Sequence, residues 1–207
     1  MKIVLFGATG SIGQAIAAEL SGRGHRVTGV SRTAGGPAGD LASARRGDAA
    51  DPDSVARLAA GHDAVVSAVA AGDPASLADA ASGLVRGLRR AGVRRLLAVG
   101  GAGTLETEPG VRLVDTPGFP EPYKPASYAQ AAALAVFRTV EDLDWTYLSP
   151  AIVIKPGERT GRYRLGGDRV LTDSAGASAI SIPDFALALA DELERRTAIR
   201  RRITVAY

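Results

Sequence analysis

Short apolar runs alternate along the chain with segments whose apolar residues recur at helical spacing. The runs predict strands near residues 3–6, 26–30, 64–69, 96–99 and 145–148, and the intervening patterns predict helices. One clear helical face carries Leu77, Leu84 and Leu88. Strands without polar alternation, separated by amphipathic helices, indicate a parallel sheet covered on both faces. We therefore expect an α/β fold with a doubly wound parallel sheet, forming a single domain over residues 1–207.

Two segments interrupt this alternation. Residues 101–126 contain five prolines and no periodicity, and they follow a predicted central strand. Long loops are usually functional, and open α/β sheets bind ligands at the carboxyl ends of their strands. We predict that residues 101–126 and 151–180 form a small substrate-side portion, although an ordered surface loop is the alternative for the first. Gly166–Asp168 predict a hairpin turn, and Ile203–Val205 predict an edge strand.

Composition restricts the chemistry that the chain supports. The 207 residues include no cysteine and only two histidines. This excludes thiol catalysis, iron–sulfur clusters and Cys-ligated zinc, and it leaves few residues for a histidine metal site or a Ser-His-Asp triad. Asp48, Asp51 and Asp53 lie in a loop and at a helix start, where carboxylates cap backbone N–H groups. We therefore expect no metal.

Charge and hydropathy restrict the partners. The net charge is +3, and the densest basic run lies near residues 195–202 without interleaved aromatic residues. That pattern is typical of a solvated helix end rather than of a nucleic-acid surface. The apolar run after Lys2 is too short for a signal peptide, and no run approaches a membrane span. We expect a cytoplasmic monomer or homodimer that acts on a small molecule, with no nucleic-acid or membrane partner.

The most informative segment is a glycine-rich turn between the first predicted strand and the first predicted helix. Its residues are Gly7, Ala8, Thr9, Gly10, Ser11, Ile12 and Gly13, with the spacing G-x-x-G-x-x-G. Gly7 permits a tight turn, Gly10 lets the backbone approach a pyrophosphate, and Gly13 allows close packing of the helix. The N–H groups at the helix start then face the anion. This arrangement predicts dinucleotide binding, and a plain strand-to-helix turn is the alternative.

The end of the second predicted strand distinguishes between the two nicotinamide cofactors. Proteins that bind NAD usually place an acidic residue there, whereas this chain has Ser31 and Arg32 and no acid before Asp40. A carboxylate would repel a 2′-phosphate, while an arginine forms charge-assisted hydrogen bonds with it. We therefore predict that Ser31 and Arg32 bind the cofactor and that NADP(H) is preferred over NAD(H). An uninvolved surface arginine is the alternative.

The glycine turn resembles that of the extended and atypical short-chain dehydrogenase/reductase families, which have a Rossmann-type fold. The segments 47–52, 144–151 and 180–186 resemble the third-strand, sixth-strand and late-helix segments of the same families. The resemblance covers essentially the whole chain and is strongest to the NAD(P)H-binding subgroup with the biliverdin reductase B-like and NmrA-like proteins. It implies that Asp48 contacts the adenine and that residues after the fourth, fifth and sixth strands lie along the cofactor. Those residues are Ala68, Val69, Ala70, Gly100, Ser149, Pro150 and Ala151. A strand-end hydroxyl bonded to the backbone is the alternative for Ser149.

One departure from these families concerns the proton relay. Most members use Tyr-x-x-x-Lys, but Tyr123 is followed four positions later by Ser127, and Tyr128 by Ala132. The usual serine after the fifth strand is also missing. We predict an NADPH-dependent reductase that transfers hydride to a quinone, a flavin or another conjugated carbonyl-type acceptor. The candidate proton donors are Tyr123 and, as a weaker candidate, Tyr128; the alternatives are that both tyrosines only pack and that the proton comes from solvent.

Two alternatives to a reductase remain at this stage. The missing Tyr-Lys pair is compatible with a non-catalytic NADP(H)-binding redox sensor or scaffold of the NmrA-like type. Epimerase-like or dehydratase-like chemistry is the other alternative. Turnover of NADPH with an acceptor separates the first alternative from a reductase.

Overall fold

The fold is known from a computed structural model, which describes residues 1–33, 41–70 and 72–207. The α-helices are α1 (Ser11–Gly22), α2 (Pro52–Ala59), α3 (Pro74–Ala91), α4 (Lys124–Arg138) and α5 (Ile182–Arg195). The strands are β1 (Lys2–Phe6), β2 (Arg26–Ser31), β3 (Ser43–Arg46), β4 (Ala64–Ser67), β5 (Arg95–Val99), β6 (Glu106–Glu108), β7 (Val111–Arg112), β8 (Asp144–Pro150), β9 (Val153–Lys155), β10 (Arg164–Gly166), β11 (Ala179–Ser181) and β12 (Arg201–Ala206). None of the helices so described is long and apolar enough to cross a membrane.

Eight strands form the central sheet in the order β10-β12-β8-β5-β4-β1-β2-β3. Every neighbouring pair is parallel except β10 and β12. The carboxyl ends of the parallel strands therefore meet at one edge. The strand order reverses beside β1, which pairs with β2 on one side and β4 on the other. This is the doubly wound α/β sheet predicted from the sequence, with its switch point at β1 and β4.

The sheet is covered on both faces, which explains the continuous apolar runs in its strands. Helices α2, α3 and α4 pack on one face, where Val4, Leu84 and Phe137 lie in a single core. Helices α1 and α5 pack on the opposite face with Leu5 and Phe185. Because successive strand residues point to opposite faces, Val4 and Leu5 enter different cores.

Three helices begin with a capping side chain, and α1 does not. Asp51, Asp73 and Ser181 each accept a hydrogen bond from a backbone N–H in the first turn of α2, α3 and α5. Helix α1 begins after Gly10, which offers no capping side chain. Helix α4, which begins after Tyr123, also lacks a capping hydrogen bond, so α1 and α4 both start without one.

The predicted hairpin around Gly166–Asp168 is wrong. Strand β10 pairs with β12 in antiparallel fashion, and the chain after it turns toward β6. The Thr204 hydroxyl on β12 donates to the carbonyl oxygens of Gly167 (2.6 Å) and Arg169 (3.1 Å), which holds the turn over β12. Strand β12 is consequently not the edge strand that the sequence predicted, because β10 lies outside it.

The proline-rich segment 101–126 is irregular but has local order. It contains the antiparallel pair β6 and β7 and three short 3-10 turns. Helix α4 begins at Lys124, within the proline-rich segment itself. Because Pro125 lies in its first turn, the end of the proline-rich segment starts the helix rather than preventing it.

Candidate functional site

A cleft of about 410 Å³ opens at the carboxyl edge of the sheet, over the switch point between β1 and β4. Residues from β1, β2, β3, β4 and the start of α3 line it. They include the predicted cofactor residues Gly7, Thr9, Gly10, Ser31, Arg32, Asp48, Ala68, Val69 and Ala70. The fold therefore brings the glycine turn, the end of β2 and the end of β4 together in one depression.

Two glycines of the turn are required by the packing of the protein itself. Gly7 has φ of +80°, and a Cβ there would lie 2.4 Å from the Ala68 carbonyl oxygen. A Cβ on Gly13 would lie 2.1 Å from the carbonyl oxygen of Gly7. Both distances are far below contact, so the turn, β4 and α1 close on each other only because these side chains are absent.

Gly10 differs from the other two glycines. A Cβ there would meet only the Gly7 carbonyl oxygen, at an ordinary contact distance of 3.6 Å, so the protein leaves space at this position. Gly10 lines the cleft at the start of α1, whose first turn carries no acidic side chain. The free N–H groups and the positive end of the helix dipole favour an anion there. The other predicted residues of this turn do not line the cleft: Ala8 and Gly13 are buried, and Ser11 and Ile12 belong to α1.

The lining of the cleft carries the positive charge of Arg32 and two carboxylates, Asp48 after β3 and Asp79 on α3. Arg32 is exposed and takes part in no ion pair with another described residue. Asp48 follows β3, and its Oδ1 accepts a hydrogen bond from the N–H of Ala50 at 2.9 Å. Register also places Arg46 beside Ser31, a neighbour that the sequence did not single out. The two adjacent arginines that end β3 were the signal in the sequence that could have identified this neighbour.

The predicted residues after β5 and β8 lie beyond this cleft. Gly100, Ser149, Pro150 and Ala151 are all buried. A Cβ on Gly100 would lie 2.2 Å from the Tyr147 ring, so this glycine is explained by packing. The Ser149 Oγ is buried without a hydrogen-bond partner in the described structure. A buried hydroxyl without a partner is costly, which makes Ser149 a candidate for a ligand contact.

The two candidate catalytic tyrosines also lie outside the lining of the cleft. Tyr123 ends a 3-10 turn before α4 and is 65% exposed. Tyr128 lies on α4, with its hydroxyl 3.5 Å from Asp115 Oδ1 and the Arg112 guanidinium 5.8 Å from its ring centroid. The hydrogen bonds from Arg112 hold the pKa of Asp115 below its usual value. Tyr128 is thus oriented by the proline-rich segment, whereas Tyr123 extends into solvent.

Sequence reasoning missed a tyrosine that is fully buried at this end of the sheet. The Tyr147 hydroxyl donates to the Gln130 backbone carbonyl at 3.0 Å and to the Gln130 Oε1. Burial raises the pKa of Tyr147 well above its usual value, so the hydroxyl stays protonated. Tyr147 lies within an apolar strand, and nothing in its spacing distinguished it from core residues.

Arg202 connects the two segments predicted to form the substrate side. Its guanidinium is buried and donates to the Thr104 carbonyl oxygen at 2.6 Å and to Asp168 Oδ1 at 2.6 Å. Thr104 belongs to residues 101–126 and Asp168 to residues 151–180. The N–H of Glu106 also donates to the Asp168 carbonyl oxygen at 2.9 Å. The two segments are therefore joined to each other and to β12.

The sequence profile of the NAD(P)H-binding family matches residues 7–195. The uncharacterized protein YwnB of Bacillus subtilis (strain 168) is 37% identical over 215 aligned positions, which cover 99% of this chain and 98% of that protein.

Solved structures with high similarity cover the whole chain. One, a candidate exported protein from Burkholderia pseudomallei, is 48% identical with a TM-score of 0.93, covering 100% of both chains. Another, a candidate NADH-flavin reductase from Streptococcus pneumoniae TIGR4, is 37% identical with a TM-score of 0.88, covering 100% of this chain and 99% of that one. Together with the cleft, these similarities confirm the resemblance seen in the sequence: the chain belongs to the NAD(P)H-binding family of Rossmann-fold proteins.

Proposed function

We propose that this protein is an NADPH-dependent reductase that transfers hydride to a small conjugated acceptor. The observation that carries the proposal is the open space at Gly10, over an uncapped helix start, in the same cleft as Arg32, which makes no ion pair with a described residue. A dinucleotide has a pyrophosphate at its centre, and NADP(H) adds a phosphate on the adenosine side. The donor set of the cleft matches both anions.

The residues of the cleft fit the adenosine and pyrophosphate parts of this cofactor, and Ser149 beyond the cleft is the candidate for the nicotinamide end. The N–H groups at the start of α1 hold the pyrophosphate, and Arg32 holds the 2′-phosphate while Asp48 meets the adenine. Ser149 offers its unpartnered hydroxyl to the nicotinamide end. When bound, the reduced nicotinamide supplies the hydride.

The substrate side positions the acceptor and excludes water. Residues 101–126 and 151–180 are tied together through Arg202, which gives the acceptor a fixed wall. The proton comes from Tyr123, Tyr128 or solvent, because the Tyr-x-x-x-Lys pair is absent. Quinones and flavins demand less of a general acid than simple ketones do. The name of the Streptococcus pneumoniae relative supports a flavin as the first acceptor to try.

A steady-state assay with both cofactors tests the proposal. NADPH or NADH oxidation is followed with flavin mononucleotide and menadione as acceptors, using wild type, Arg32→Ala and Arg57→Ala. Arg57 is an exposed arginine on α2 outside the cleft, which makes it the matched control. We expect Arg32→Ala to raise the KM for NADPH about 10-fold or more and to leave NADH nearly unchanged, since a charge-assisted hydrogen bond is lost.

Two results would contradict parts of the proposal. If NADH is used as well as NADPH and Arg32→Ala changes neither, the cofactor preference is wrong. If NADPH binds tightly but no acceptor is reduced, the second candidate applies: a non-catalytic NADP(H)-binding sensor or scaffold. The absence of both candidate tyrosines from the lining of the cleft is the observation that favours that candidate.

A further inference from the structure

Gln130 and Tyr147 form a fixed pair where α4 meets the ends of β5 and β8. Tyr147 is 1% exposed, and its hydroxyl donates to the backbone carbonyl of Gln130 and to its Oε1. Burial raises the pKa of Tyr147, so its hydroxyl keeps the proton that it donates to Gln130. The side-chain oxygen of Gln130 is therefore committed to Tyr147.

This orientation leaves the other half of the Gln130 carboxamide unused. Its Nε2 carries two N–H donors and makes no hydrogen bond within the described structure. Gln130 is only partly buried. The bond to Oε1 thus fixes the orientation of the carboxamide, and the Nε2 is available to donate to a ligand oxygen.

Gln130 also lies at the end of the site opposite Arg32. Its Cγ is 3.1 Å from the position that a Cβ on Gly101 would take, directly after β5. Gln130 and Val69 line a small cavity of about 20 Å³, and Val69 also lines the main cleft. With the pyrophosphate at the glycine turn and the adenosine half toward β2, the second half of a dinucleotide extends toward β4 and β5.

We infer that Gln130, oriented by Tyr147, is a binding residue for the nicotinamide half of the cofactor. Its N–H groups donate to an oxygen of the nicotinamide nucleoside. Tyr147 acts through Gln130 as a positioning residue. This inference rests on the proposed function, because it requires that the cleft binds NADP(H).

Two ligands separate the halves of the site. NADPH and 2′,5′-ADP, which lacks the nicotinamide half, are titrated calorimetrically into wild type, Gln130→Met and Arg32→Ala. Gln130→Met keeps the length of the side chain and removes its donors. We expect it to weaken NADPH about five- to tenfold and to leave 2′,5′-ADP unchanged, as for the loss of one neutral hydrogen bond. Arg32→Ala, at the other end, weakens both ligands.

Tyr147→Phe provides a second variant that does not touch the ligand. It removes the hydroxyl that orients Gln130, so we expect a smaller loss for NADPH, again with 2′,5′-ADP unchanged. A purely structural role would weaken both ligands together. If the wild type binds both ligands and Gln130→Met weakens neither, or both equally, the inference is wrong while the proposed function stands. If the wild type binds neither ligand, the proposed function fails and the inference fails with it.

Discussion

The cofactor cleft and the substrate-side segments are held in place by different physical means. The cleft is shaped by close backbone packing, because the turn at Gly7 lies against the Ala68 carbonyl of the segment after β4 and against Gly13 of α1, with no room for side chains on the two glycines. The substrate side is held by side chains from far along the chain. For example, Arg202 binds Thr104 and Asp168. Because backbone packing holds one region and side-chain hydrogen bonds and ion pairs hold the other, we expect substitutions, pH and salt to affect the two regions differently.

A second substrate-side tether is centred on the buried carboxylate of Asp184. It accepts hydrogen bonds from the Thr160 hydroxyl (2.6 Å), the Tyr207 hydroxyl (2.7 Å) and the N–H of Gly161 (2.9 Å). A third tether is the ion pair between Arg159 and Glu19 on α1. Tyr207 is 23 positions from Asp184, and Arg159 is 140 positions from Glu19, so only the folded chain brings each pair together.

The largest effect should come from filling the space at the glycine turn. Gly13→Ala places a Cβ 2.1 Å from the Gly7 carbonyl oxygen, so α1 must move or the turn must open. We expect the free energy of unfolding to fall by about 3 kcal/mol or more. Denaturant unfolding measures it. Gly22→Ala, at the end of the same helix with no atom within 4 Å, is the matched control and should be neutral or stabilising. Equal losses in both variants would contradict the packing argument.

The substrate-side tether with the largest expected effect is Arg202. Arg202→Met leaves the Thr104 carbonyl oxygen and Asp168 without this partner, and we expect a loss of about 2–3 kcal/mol because Asp168 itself is half-exposed. Limited proteolysis should then cut residues 101–126 faster. Arg201→Met, at the exposed neighbouring position, should change neither quantity. Unchanged proteolysis in Arg202→Met would show that Arg202 does not hold this segment.

Asp184 should make the substrate side sensitive to acid. Burial alone would raise the pKa of Asp184, but the hydrogen bonds from Thr160 and Tyr207 outweigh it and keep the pKa below its usual value. Its stabilisation is therefore fully present above about pH 4 and is lost as the pH falls through the folded-state pKa. We expect Asp184→Asn to be less stable by about 1–2 kcal/mol at pH 7, with the difference shrinking on acidification. If the stability difference between wild type and Asp184→Asn does not change with pH, the carboxylate of Asp184 is not the source of this acid sensitivity.

The smallest effect should come from the ion pair at the surface. Arg159 is half-exposed, and Glu19 also pairs with Arg23, so Arg159→Ala should cost less than about 1 kcal/mol. The cost should disappear in about 1 M NaCl, where exposed charges are screened. Urea unfolding at low and high salt measures both values. A cost that persists at high salt would indicate that Arg159 stabilises by packing instead.

The cofactor half of the fold was readable because its signals are local. The G-x-x-G-x-x-G spacing follows a short apolar strand and opens a helix, so the whole motif can be read within the first 13 residues. The parallel topology followed from the lack of polar alternation in the strands. The sequence also placed Ser31 and Arg32 at the end of a strand, and the family resemblance assigned Asp48 to the adenine; the fold brings all three into one cleft.

The substrate half was not readable to the same extent. The glycines at 166 and 167 indicated a local hairpin, but β10 pairs instead with β12, which follows it in sequence only after helix α5. The pairing of Tyr147 with Gln130, like that of Arg202 with Asp168, joins residues with no shared motif. Long-range side-chain pairs of this kind leave no periodic signal in one sequence.

Gly10 offers the most direct test of the claim that the cleft binds NADP(H) through the start of α1. NADPH is titrated into wild type and Gly10→Ala, and the free energy of unfolding of both is measured. Since a Cβ at position 10 meets only one atom, at 3.6 Å, we expect stability to change by less than about 1 kcal/mol. We expect NADPH affinity to fall about tenfold or more, because the methyl group occupies the space left for the pyrophosphate. Unchanged affinity in Gly10→Ala, or no binding by the wild type, would contradict the account.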